Sequence, residues 1–151
     1  MLQKYKNGNA TITIENDGSR VVEYENTLQL EFPLNIDIRV QTKCAFGAKD
    51  DGTPGFCGFC HESAKQNGSE CDYKLLREKL WYLPRGIELA IGANQITDSL
   101  YWFLSWATRE GFICNLTINQ GHLKRDLEWI KRLIKANTCL LYTSPSPRDG
   151  L

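Results

Sequence analysis

Cys44, Cys57 and Cys60 stand in the pattern C-x12-C-x2-C, and His61 follows the last of them. Clustered thiols in an intracellular chain serve metal binding or catalysis more often than disulfides. Three thiolates can hold three irons of a [4Fe–4S] cube and leave the fourth iron open to another ligand. Gly47, Gly52, Gly55 and Gly58 permit tight turns and a close approach of backbone N–H groups to inorganic sulfide. Phe59 would shield one side of such a cluster from water. The same thiols admit a tetrahedral zinc site completed by His61 or Cys71, although a second C-x-x-C pair is absent. Residues 57–61 also spell C-x-x-C-H, a haem attachment motif, for which only His122 or Met1 could supply the second axial ligand. Cys71 and Cys114 read as ordinary residues, one at a helix start and one in a buried strand.

Chemistry at these positions needs a scaffold, and the chain supplies alternating strands and helices. Residues 10–15 and 21–25 are β-rich and flank Asn16-Asp17-Gly18-Ser19, so they predict an N-terminal β-hairpin. Residues 34–40 alternate as a strand and lead into a long loop, 41–68, that carries the three cysteines. A helix is predicted over 72–83 with Leu75, Leu76, Lys79 (stem), Leu80 and Leu83 inward, ended by Pro84 and Gly86. Residues 87–91 form a short, mostly apolar strand. Thr97 or Asp98 caps a second helix with Leu100, Phe103, Leu104 and Ala107 inward and Gly111 at C′. Residues 112–119 form a third strand, whose alternation puts Asn115, Thr117 and Asn119 on one side. A third helix runs from His122 to about Ala136 with Leu123, Leu127, Ile130 and Ile134 in one stripe. Trp81, Trp102, Trp106 and Trp129 read as packing residues on helix flanks.

The order β-α-β-α-β-α predicts an α/β fold with a parallel sheet and right-handed crossovers. It corresponds to the first three βα units of a partial (β/α) barrel, whose eight units occupy roughly 250 residues. The cysteine loop then lies at the C-terminal face of the sheet, where α/β barrels carry their active sites. Asn94, Thr97, Thr117 and Asn119 become candidates for contact with a cofactor or substrate.

The chain has 151 residues, 18 Lys+Arg against 18 Asp+Glu, which argues against non-specific nucleic-acid or anionic-membrane binding. No apolar run approaches the roughly 18 residues that span a bilayer, and the N-terminus has no apolar h-region, so a cytoplasmic protein is expected. Residues 139–149, CLLYTSPSPRD, back-translate without a mismatch as transposon-end and adapter DNA. The predicted division is therefore a hairpin extension over 1–30, a (βα)3 half-barrel over 31–138, and an adapter-derived, non-native tail over 139–151.

Cys57-Gly58-Phe59-Cys60 after the first strand resembles the second half of the radical S-adenosylmethionine (radical SAM) signature, in which an aromatic precedes the last cysteine. Residues 91–97, Ile-Gly-Ala-Asn-Gln-Ile-Thr, resemble that superfamily's Gly-Gly-Glu-type segment, and 112–119 its third strand. Twelve residues separate Cys44 from Cys57 where the usual signature has three, and Ala93 and Asn94 replace the second Gly and the acidic residue. The resemblance covers roughly residues 34–138 and implies an N-terminal fragment of a radical SAM enzyme. It implies a [4Fe–4S] cluster on Cys44, Cys57 and Cys60, with S-adenosylmethionine on its open iron and near Phe59, Gly92, Ala93, Asn94, Thr117 and Asn119. The implied activity is generation of a 5′-deoxyadenosyl radical that abstracts hydrogen from a small-molecule or other substrate, with an electron donor as partner. The alternative is a non-catalytic binding module stapled by zinc or a cluster.

Overall fold

The computed structural model describes residues 3–16, 19–55, 60, 63–119, 123–135 and 139–143, with the side chains of 119, 123–126 and 139–143 outside the description. It is a mixed α/β structure with three helices and two sheets.

The first sheet is antiparallel, in the order β1 (Gln3–Asn7), β2 (Ala10–Ile14), β3 (Arg20–Tyr24). A hairpin was expected here, and β1 adds a third strand. Its polar sequence, Gln-Lys-Tyr-Lys-Asn, has little apolar patterning, but Gly8-Asn9 is a two-residue turn, with Gly8 at φ 59°, joining Asn7 to Ala10 across the ladder. Buried Asn7 accepts from the N–H groups of Glu31 and Phe32 and donates to the Phe32 carbonyl at 2.7 Å. That bonding ties the segment after β3 back to the sheet.

The second sheet is parallel, in the order β4 (Asn35–Arg39), β6 (Glu88–Gly92), β7 (Ile113–Asn119), β8 (Cys139–Thr143). A sequential order with α1 (Tyr73–Leu80), α2 (Asp98–Arg109) and α3 (Leu123–Lys135) each between successive strands of the four places the helices together on one face. Each helix start follows from local chemistry where it is described. Asp72 caps α1 by accepting from Lys74 and Leu75 N–H, and Thr97 caps α2 by accepting from Leu100 N–H. Gly111, at φ 93°, supplies the left-handed residue after α2.

Ile38, Ile91 and Leu116 are aligned by the parallel register, as are Ile36, Leu89 and Cys114. These rows pack with Leu80, Leu100, Phe103, Leu104, Ala107, Ile130 and Leu133 into one core. Two expected stripes are corrected. On α1, Leu75 and Lys79 are exposed, while Leu80 is buried and Leu76 and Leu83 pack on the core as expected. On α3, Ile130 is buried as expected, but Leu127 and Ile134 are exposed and Leu133 is buried in their place. On both helices the face that meets the core is turned slightly from the expected stripe, so residues at its margin change places. Trp81 and Trp102 are exposed rather than packed, whereas Trp106 is buried.

Main-chain pairing does not stop at residue 138. Cys139–Thr143, placed by the sequence within a non-native tail, lies parallel to β7 in register with Asn115–Asn119. An open sheet edge accepts any extended backbone, whatever the origin of its sequence, and Leu-Leu-Tyr favours extension.

The antiparallel sheet closes the N-terminal ends of the parallel strands. Ala10, Ile12 and Ile14 pack on Leu34 and Ile113. Arg20 pairs with Glu88 at 3.0 Å. Gly86, at φ 96°, lies against the Tyr5 ring, where a Cβ would sit 2.7 Å from a ring carbon. Gly86→Ala combines a left-handed backbone with that overlap, so we expect a loss of about 1–3 kcal/mol in urea unfolding. An unchanged midpoint would show that the two sheets do not meet there.

Candidate functional site

The strand alternation that buries one face of the parallel sheet leaves the other lined by Asp37, Arg39, Glu88, Ala90, Gly92, Asn115 and Thr117. Parallel sheets ordinarily bury both faces, so a polar face with two small residues at its centre marks a place for something else to sit. Its lower end is organised by Glu88, whose carboxylate accepts from Arg20 on one oxygen and from the Asn115 amide on the other. At its upper end the register aligns Arg39, Gly92 and Thr117. A Cβ at Gly92 would meet only the Ile38 carbonyl oxygen, at 4.0 Å, so the chain's own packing does not demand glycine there.

The cysteine loop rises from this upper end and is more ordered than a bare connection. Strand β5 (Lys43–Ala48) carries Cys44 and belongs to neither sheet. Both its ends stand on one return segment. Lys65 N–H donates to the Thr42 carbonyl at 3.0 Å, Gln66 N–H to the Ala48 carbonyl at 2.9 Å, and Ala48 N–H to the Ala64 carbonyl at 3.1 Å. Residues 42–48 thus form an arc footed on 64–66. Glycine is required beneath it, since a Cβ at Gly47 would lie 2.5 Å from the Ala64 carbonyl oxygen. A Cβ at Gly55 would collide with the backbone of Phe46 and Gly47.

Cys44 is buried on the arc, and Cys60 is exposed, with its sulfur accepting from Ala64 N–H at 3.4 Å. Ser63, between Cys60 and Ala64 in the chain, has a left-handed φ of 49°. Such strain in a non-glycine residue gathers at functional sites. Cys44, Cys60, Cys71 and Cys114 are not disulfide-bonded. Cys57, Phe59 and His61 lie outside the described residues. Among the described residues no three His, Cys, Asp or Glu side chains are grouped as metal ligands.

The structure joins Cys44 to the 92–94 segment through a residue that sequence reading missed. Gln41 is 2% exposed. Its Oε1 accepts from the N–H groups of both Asn94 and Gln95 at 3.1 Å, and its Nε2 donates to Glu70 Oε1 at 2.7 Å. Asn94 returns the contact, donating its Nδ2 to the carbonyls of Gln41 and Lys43. Ala93 N–H is taken by the Thr117 carbonyl at 3.0 Å. Asn94 is therefore a tie between the turn and the residue preceding Cys44. No local pattern marks a glutamine after a strand as buried, because its burial comes from residues more than fifty positions away.

Thr117 shares the open face with Asn115, as alternation required, while Asn119 is placed only by its backbone as the last residue of β7. Thr97 serves as the α2 cap. A groove of about 410 Å3 lies elsewhere, lined by Lys74, Arg77, Glu78, Trp81 and Trp106, and shares no residue with the cysteine arc.

Cys114 behaves as a buried apolar residue, and burial pushes its thiol up from 9.0 to about 11. Burial also raises the Tyr73 hydroxyl. Each group holds its proton more tightly folded than unfolded, so the associated stability is complete below the unfolded pKa and is lost as pH climbs through the folded one. Urea stability should fall between pH 9 and about 11, and Cys114→Ala should flatten that fall. A wild-type stability constant across that window would refute the burial of both groups.

No protein-family model, curated protein or solved structure matches this chain. No helix of the described residues is long and apolar enough to cross a membrane.

Proposed function

We propose that the chain is an iron–sulfur protein of radical SAM type, the first three βα units of a partial barrel. Cys44, Cys57 and Cys60 would hold a [4Fe–4S] cluster, and the Gly92-Ala93-Asn94 turn, with Thr117 and Asn119, would receive S-adenosylmethionine. The observation that carries this reading is the hydrogen-bonded junction of the Cys44 arc with the 92–95 turn, above an open polar sheet face.

Cys44 and Cys60 lie within the described residues as proposed ligands, and Cys57 lies outside them. Cys60 has a backbone N–H directed at its sulfur, the kind of bond by which proteins tune cluster potentials. The N–H groups of Ala93, Asn94 and Gln95 are all engaged inside the protein. Any contact of the turn's backbone with the ammonium end of a methionine moiety would therefore be made by carbonyl acceptors. Bare Gly92 admits a close approach. A cluster held by Cys44, Cys57 and Cys60 would supply one-electron reduction, the chemistry that would cleave S-adenosylmethionine into methionine and a 5′-deoxyadenosyl radical. This chain's part is to bind, orient and exclude water, with a small-molecule substrate on the open face and an electron donor as cytoplasmic partner.

Anaerobic reconstitution with iron and sulfide, followed by electron paramagnetic resonance of the reduced protein, tests the proposal. We expect a cluster signal that changes when S-adenosylmethionine is added. A signal indifferent to it, or a protein that takes zinc alone, would replace the enzyme with a metal-stapled binding module.

A further inference from the structure

We propose that Gln41 is a positioning residue that couples the cysteine arc to the 92–95 turn, so that ordering of either one orders the other. Two segments more than fifty residues apart otherwise meet through few polar contacts, and Gln41 takes part in most of those that are described. Its side chain receives two amides of the turn. Its carbonyl accepts from Arg39 Nε at 3.2 Å and from Asn94 Nδ2. Its own amide group holds Glu70, where the loop returns toward α1. Burial at 2% means that water cannot substitute for these partners when they are removed.

The arrangement has one polarity. Gln41 must accept toward the turn and donate toward Glu70, which an amide does and neither a carboxylate nor an apolar side chain can do. A change in position or mobility at the arc is thereby transmitted to Asn94 and Gln95, and the reverse holds with the same coupling. The consequence for ligands rests on the function proposed above, since loading the thiols would then prepare the turn for the methionine moiety. The coupling itself belongs to the protein alone.

The test is hydrogen exchange and limited proteolysis on the full chain, first without metal. In Gln41→Leu the Asn94 and Gln95 amides should exchange about tenfold faster. The 41–70 loop should become cleavable, while β6 and β7 keep their protection. Gln41→Glu should do the same, because a carboxylate would then face Glu70. The exchanged pair Gln41→Glu with Glu70→Gln should restore both protections, since the acceptor toward the turn and a donor between the two positions are both present again. A purely space-filling role predicts no such rescue. Loosening of the loop without a change at Asn94 and Gln95, or failure of the exchanged pair to rescue, overturns the coupling. A second arm loads iron and sulfide. Loading should slow exchange at Asn94 and Gln95 in the wild type and in the exchanged pair, but not in Gln41→Leu. A chain that takes up no iron would defeat the proposed function, while the metal-free arm still decides the coupling.

Discussion

Cys60→Ala should abolish iron–sulfur loading while leaving the fold intact. The proposed [4Fe–4S] cluster would need three thiolates, and removing one would leave too few sulfurs to hold the cube. Cys60 is exposed and contributes one amide-to-sulfur bond, so its loss should move stability by no more than about 0.5 kcal/mol. Cys44→Ala and Cys57→Ala should lose iron in the same way. Cys71→Ala and Cys114→Ala should keep the wild-type iron content, and Cys114→Ala should cost about 1 kcal/mol or more as a small cavity in the core. The measurement is iron and acid-labile sulfide per chain after reconstitution, beside a urea transition of each variant. Full iron in Cys60→Ala would remove that residue from the ligand set. Loss of iron in Cys71→Ala would shift the set toward a different fourth sulfur and favour zinc-like stapling.

Phe103→Ala should produce the largest loss of stability, about 3–5 kcal/mol. Phe103 is 2% exposed at the centre of α2 and belongs to the main core cluster. Its ring lies 5.4 Å from that of Tyr73 on α1 and 5.9 Å from Trp106, which in turn stands 6.1 Å from Phe112. Removing it leaves a void bounded by large rings that cannot close together, and a domain of ordinary stability has only about 5–15 kcal/mol in total. Tyr73 follows shortly after Glu70, so loosening α1 should also loosen the anchor of Gln41. Urea unfolding followed by tryptophan fluorescence reads the first effect. A loss below about 1 kcal/mol would mean that the aromatic run repacks freely and does not brace the helices.

Much of the scaffold is legible from local chemistry. The strands at 35–39, 88–92 and 113–119, the Thr97 cap, the inward face of α2 and Gly111 at C′ follow from periodicity and from capping residues within a few positions. The placement of the cysteine loop after the first parallel strand follows from element order alone. Other features are not local. Strand β1, although it pairs locally across a two-residue turn, shows weakly because its residues are polar. Loop 41–68 contains an arc because Ala64, Lys65 and Gln66 hydrogen-bond to Thr42 and Ala48, a pairing without periodic signature.

What the sequence determined by itself is the set of chemical groups and the type of each element: thiols, glycines, an alternating third strand, and helices bounded by their own caps. These depend on neighbours within a turn or a strand, where the backbone's few allowed conformations suffice. Tertiary structure alone decided that Leu75 on α1 and Leu127 and Ile134 on α3 stay exposed while Leu133 is buried. It also decided that the antiparallel sheet closes the N-terminal ends of the parallel strands, and that Gln41 is the buried link between the cysteine arc and the 92–95 turn. Those outcomes depend on desolvation and hydrogen bonding between residues far apart in the chain, which only the packed core brings within reach of one another.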